Sequence, residues 1–165
     1  MRNAFVLPLV VLTLSAAGAS IVGGSDTSAS AGPASAALAS GNQAAQRTIW
    51  DGVYTEAQAE RGQRAYKTHC GYCHRDNLTG GGSEAGAPAL VGPIFEHRWT
   101  DQTLADLFVT IGTTMPQNDP DTLAPQTVID IVSFLLKSND APASDRELPA
   151  NVEALKAIAM PPRTR

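Results

Sequence analysis

The chain has two cysteines, Cys70 and Cys73, set three residues apart with a histidine directly after the second: His69-Cys70-Gly71-Tyr72-Cys73-His74. No other feature limits the fold as strongly. Residues three apart on one helical turn share a face, so whatever these thiols hold is held by a single turn of chain. Three chemistries use such a pair. A thioredoxin-like redox pair sits in a βαβ context, and no alternating apolar pattern here is long enough for a sheet. Structural zinc takes four ligands, commonly from a second pair at matched spacing. This chain has no further cysteine, and His69 and His97 do not repeat the pattern. A disulfide between them would close a very small ring and stabilise little. Cys-x-x-Cys-His is also the attachment pattern of c-type haem. Two thioethers fix the porphyrin to one turn of chain, and the adjacent imidazole is aimed at the iron from one side.

Composition agrees with the last reading and excludes others. Aromatic residues make up 5% of the 165, which leaves a thin core for a small domain, and a large apolar cofactor supplies what is missing. The net charge is −4 with no long basic run, so nucleic-acid binding has no electrostatic support.

The opening residues read as an export signal. Arg2 is followed by the apolar run Ala4–Leu14, and Ala17-Gly18-Ala19 offers a cleavage site before Ser20. The rival is an uncleaved anchor, since Ala4–Val22 approaches spanning length but is weakly apolar in its second half. Residues 1–19 are therefore expected to be a signal peptide, and the protein to be periplasmic, or anchored at its N-terminus and facing the periplasm. Residues 20–46, rich in Ser, Ala and Gly, read as a flexible tether. A folded domain is expected over 47–140, with 141–165 as a C-terminal extension carrying a short helix.

Within that domain the pattern is all-α. The first helix is expected from about Thr55 to Thr68, with Thr55 and Gln58 in capping-box spacing. Gly62 and Tyr66 share one of its faces, and the glycine implies a closely packed neighbouring backbone. A second helix covers Thr103–Ile111 and is closed by Gly112. A third runs from Pro125 to Ser138 with Val128, Ile131, Val132 and Leu135 as its apolar stripe. A last helix covers Ala150–Ala159. Residues 77–93, rich in glycine and proline, form a long loop, and "TTMPQNDPDTLAP" forms another; loops of that length usually carry function. The arginines of the terminal "MPPRTR" read as a solvated tail.

If His74 faces the iron from one side, the other side decides between a carrier and a catalyst. His69 is held to the same side as Cys70. His97, in "FEHRW", is the rival candidate and reads more naturally as a surface histidine. Met160 reads as packing or tail. Met115, in the Pro-bounded loop "GTTMPQ", is free of helical constraint and can reach over the opposite face.

Taken together, the first helix with Gly62 and Tyr66, then CGYCH, "APAL", "TTMP" and the closing amphipathic helix resemble the class I monohaem cytochromes c over roughly residues 50–138. The likeness is greatest to the small exported cytochromes and cytochrome domains associated with quinoprotein (PQQ) dehydrogenases, where stretches like "LTGGG" and "APALVGP" recur. Gly112 stands where such sequences carry Arg before "TTMP". The resemblance implies a cytochrome c fold of three to five helices with long loops around one covalent haem c. It makes Cys70 and Cys73 the thioether anchors, with His74 the proximal and Met115 the distal iron ligand. The Pro88 carbonyl would accept from the other ring nitrogen of His74, Leu90 would pack on the haem, and Trp99 would lie beside a propionate. Core packing is an equally good reading of Leu90 and Trp99. The implied function is one-electron transfer and not catalysis. The partners would be redox proteins, with a dehydrogenase as donor and an oxidase or cytochrome as acceptor, and the protein a monomer. Two alternatives stay open. One is a catalytic or gas- and peroxide-sensing haem with an open sixth site. The other is a dedicated cytochrome subunit of a dehydrogenase, docked through the tether and Trp50–Tyr54.

Overall fold

The computed structural model describes residues 46–81 and 86–163. The expected signal peptide, and the tether apart from Gln46, lie outside the described residues. The element order is β1 (Arg47–Thr48), a 3-10 turn (Ile49–Asp51), α1 (Glu56–His69), α2 (Gly71–His74), α3 (Gly92–Trp99), α4 (Leu104–Thr114), α5 (Pro125–Ser138), α6 (Val152–Lys156) and β2 (Ile158–Ala159). The architecture is all-α, as expected.

Two long helices form the frame. α1 begins at Thr55, whose hydroxyl accepts from the Gln58 backbone N–H. The reciprocal half of the capping box is absent, because Gln58 is fully buried and its amide is used elsewhere. It donates to the Leu148 carbonyl at 2.9 Å and accepts from the Leu148 N–H at 2.8 Å. α5 buries Val128, Ile129, Ile131, Val132, Leu135 and Leu136. The two helices cross at Gly62, where a Cβ would lie far inside the Asp130 carbonyl. One turn on, Tyr66 meets Phe134 with ring centroids 5.2 Å apart, within the range of favourable aromatic pairs. Arg61 closes the crossing with two hydrogen bonds to Asp130, at 2.9 and 3.0 Å.

α4 departs from its expected end. Its start is fixed by Thr103, whose N–H donates to the Asp106 carboxylate at 2.8 Å. Gly112, however, lies inside the helix, which continues to Thr114. α3 also falls where a loop and its flank were expected. It enters through Pro93, at an early helical position that suits proline, and buries Phe95 and Trp99 on one face.

The C-terminal part is less of an extension than its sequence suggests. Leu148, Leu155, Ile158 and Met160 are buried in the same apolar cluster as α1, α4 and α5. β2 pairs in parallel with β1, Arg47 opposite Ile158 and Thr48 opposite Ala159. The expected last helix is correspondingly short. Arg163, expected in a solvated tail, is exposed but not without contacts: its N–H donates to Glu96 at 2.9 Å and its guanidinium lies over Trp50. The Trp50–Tyr54 segment is likewise occupied internally. Trp50 donates its indole N–H to the Pro161 carbonyl at 3.1 Å, and the Tyr54 hydroxyl donates to Ala141 at 2.7 Å.

Candidate cofactor site

α1 ends at Cys70, whose N–H closes the helix on the Tyr66 carbonyl at 2.8 Å. The chain turns at once into the single turn of α2, with the His74 N–H bonded to the Cys70 carbonyl at 2.9 Å. Gly71 is buried there, and a Cβ would lie 2.6 Å from the Asp76 carboxylate, which would have to turn aside. The Cys-x-x-Cys-His stretch is therefore one tight turn, as its spacing requires. No disulfide joins Cys70 and Cys73. Burial, with Cys73 beside it, pushes the Cys70 thiol up to about 11. That is the opposite of the lowered pKa that makes a cysteine a redox nucleophile. Among the described residues, no group of three or more His, Cys, Asp or Glu side chains is placed to hold a metal ion, which removes support for the zinc reading.

His74 is buried, and its Nδ1 lies 2.9 Å from the Pro88 carbonyl oxygen. A carbonyl only accepts, so Nδ1 carries the proton and Nε2 keeps its lone pair, the form of imidazole that binds a metal. The loop that brings Pro88 there approaches closely. A Cβ on Gly80, at φ +73°, would run into the Ala87–Ala89 backbone. The loop is tied further by Gly81 N–H to the Ala87 carbonyl and Leu90 N–H to the Leu78 carbonyl, both 2.8 Å.

These elements surround a cavity of about 420 Å³. Cys70, Cys73, His74, Pro88, Leu90, Trp99 and Met115, the residues singled out from the sequence, all line it. Phe95, Leu107, Ile111, Ile131 and Leu135 complete an apolar wall. None of these five was singled out as a cavity residue from the sequence; their apolar spacing on α3, α4 and α5 is the only signal they carry there. Met115 caps the C-terminal end of α4, its N–H bonded to Ile111 at 3.1 Å. His97 is exposed and does not line the cavity, and Met160 is buried away from it. His69 is exposed at the edge. Among the described residues no group accepts from the Trp99 indole N–H, although the ring is buried and lies under the Arg98 guanidinium. Thiols, an imidazole with a free Nε2 and a large apolar space suit a flat, apolar, metal-bearing group. They do not suit a hydrated ion.

Comparison with known proteins agrees. Residues 57–135, just under half of the chain, match the family described as cytochrome C oxidase, cbb3-type, subunit III. No curated protein and no solved structure matches the chain significantly. The matched stretch runs from α1 through most of α5 and contains the whole cavity lining. The match supports a class I monohaem cytochrome c-like domain over that stretch, which implies covalently bound haem c as cofactor and haem-based electron transfer in general.

Proposed function

We propose that this protein is a periplasmic one-electron carrier in a respiratory or dehydrogenase-linked chain. Cys70 and Cys73 anchor the haem, and His74 and Met115 ligate its iron. The observation that carries this reading is the convergence of the Cys-x-x-Cys-His turn and Met115 on one apolar cavity. The bound haem supplies a one-electron Fe(III)/Fe(II) couple. The chain's residues set the terms on which that couple works. Pro88 fixes the ring orientation of His74 and strengthens it as a donor. The Met115 thioether favours the ferrous state and raises the potential. Leu90, Phe95, Leu107 and Ile111 exclude water. Two strong ligands leave no position for a substrate, which favours transfer over catalysis.

Export rests on the N-terminal pattern, with cleavage after Ala19 and residues 20–46 serving as a tether; N-terminal sequencing of the secreted protein tests this. No helix among the described residues is long and apolar enough to cross a membrane. A redox dehydrogenase as donor and an oxidase or cytochrome as acceptor suit a monomeric carrier. The matched family is described as an oxidase subunit, which favours one second reading, a subunit held permanently in a larger redox assembly. Stable co-purification with a partner would select it.

The deciding experiment is the visible spectrum of the exported protein, oxidised and reduced, with and without CO. The expected result is a low-spin c-type spectrum with a methionine–iron band, unaffected by CO. Met115→Ala should abolish that band, admit CO and lower the potential. A wild-type protein that binds CO directly would take Met115 off the iron and point to sensing or catalysis.

A further inference from the structure

Asn139, the residue that follows α5, does not line the cavity, yet every polar atom of its side chain is committed. Its Oδ1 accepts from the Gly92 N–H at 3.0 Å. Its Nδ2 donates to the Leu90 carbonyl at 3.0 Å and to the Leu135 carbonyl at 2.8 Å. The bonds to Leu90 and Gly92 grip the backbone on the C-terminal side of Pro88, where the Leu90 N–H also bonds the Leu78 carbonyl, while the bond from the Gly81 N–H to the Ala87 carbonyl grips it on the N-terminal side. Pro88 has no N–H with which to hold its own place. The amide orientation is also determined by its surroundings, because a flipped amide would set its oxygen against two carbonyls.

We propose that Asn139 is a positioning residue for His74: by clamping Leu90 and Gly92 to the end of α5, it holds the Pro88 carbonyl on the His74 Nδ1–H. This rests on the reading of His74 as the iron ligand. The clamp would then carry the rigidity of the α1–α5 frame to the electronic state of the iron. A shorter, better held Nδ1–H bond puts more electron density on the imidazole and favours the ferric state. Loosening it should therefore raise the potential.

The test uses the haem-loaded full chain in its reduced, diamagnetic form. Two quantities are read: solvent exchange of the His74 Nδ1–H by NMR, and the reduction potential. Asn139→Ala should speed exchange about tenfold or more, the equivalent of about 1.4 kcal/mol. It should also raise the potential. Asn139→Leu, of similar shape and uncharged, loses every bond of the clamp, so it should move both readouts in the same direction, and it serves if the alanine variant does not fold. Asn151→Ala removes the cap of α6, far along the chain, and should lower Tm while leaving both readouts unchanged. If the Asn139 variants lower Tm and leave exchange and potential at wild-type values, the clamp is merely structural and the proposal falls. If the wild-type spectrum shows an axial ligand other than His74, the ligand reading itself fails, and the two failures are thus told apart.

Discussion

The two sides of this domain are built on opposite principles. Where α1 crosses α5, backbone touches backbone: Gly62 lies against Asp130, Tyr66 packs on Phe134, and Arg61 bonds Asp130 twice. Across the cavity, the walls formed by Leu90, Phe95, Trp99, Ile111 and Met115 face a space of about 420 Å³. Interiors are close-packed, and an unfilled volume forfeits contacts along its whole lining. The crossing is complete with side chains alone, whereas the cavity side is complete only with its cofactor. Stability rests chiefly on the α1–α5 crossing and function on the walls opposite it, with Tyr66 shared between the two.

The largest effect should come from denying the cavity its occupant. Without its occupant the apolar lining loses contacts along its whole extent, a large loss against the marginal stability of a small domain. The double variant Cys70→Ala, Cys73→Ala should carry no covalent haem on a denaturing gel, and its far-ultraviolet circular dichroism should show loss of most helix. A fully helical apo chain would break the contrast, showing the crossing sufficient by itself. Next in size is Gly62→Ala, which forces the helices apart and should cost about 3 kcal/mol in thermal unfolding of the loaded protein. If α1 instead slid at no cost, the crossing would be looser than its geometry requires.

The pH dependence should sharpen the same contrast, since the shifted groups sit outside the cavity or are neutral beside it. The Thr103 hydroxyl and N–H hold the Asp106 carboxyl below the ordinary 3.8, and the Thr48 N–H and hydroxyl do the same for Asp51. Folded values below the unfolded value stabilise above about pH 3.8, and that contribution is lost as pH falls through the lowered values. On the alkaline side, burial, aided by Glu56, pushes Tyr54 from 10.0 up to about 12. Its contribution is complete below pH 10.0 and lost as pH rises towards 12. Tm measured against pH in the loaded protein should fall at both ends, with a flat region between. The smallest effect is expected from Arg163→Ala, which removes exposed side-chain contacts to Asp140 and Trp50 and keeps the backbone N–H bond to Glu96. It should change stability by less than about 1 kcal/mol. A larger loss would make the tail part of the frame.

What could be read from the sequence was local, and what could not was long-range. Thr55 as a cap and Pro125–Ser138 as a helix carry their signals within a few residues, and the structure places both where they were expected. Gly112 was legible only as a stop signal. Its place inside α4, where a Cβ would meet Val128 at an ordinary 3.9 Å, depends on packing. α3 escaped notice because eight residues entered through Gly92 and Pro93 show too little periodicity. The candidate site divides in the same way. The Cys-x-x-Cys-His turn announces its chemistry within five residues, and Met115 is conspicuous as a methionine in a polar loop. The partners of Gln58 and Asn139 lie 90 and up to 49 residues away, and no local pattern reports them. Leu148, Leu155 and Ile158 are isolated apolar residues, and only the fold shows that they belong to the core.

The pairing of Arg47–Thr48 with Ile158–Ala159 has a topological consequence. It makes the domain a ring in all but covalent bond, with its two ends zipped side by side. A ring can be opened anywhere that its circumference is slack, and Gln117–Thr122 is an exposed stretch of that circumference. A circular permutant that joins the paired ends by a linker long enough to run back along the parallel pair, and begins within that stretch, should fold to the same core. Its new ends would emerge beside Met115. A chosen redox enzyme could then be fused at the cavity's own mouth, so that electron exchange no longer depends on a diffusional encounter.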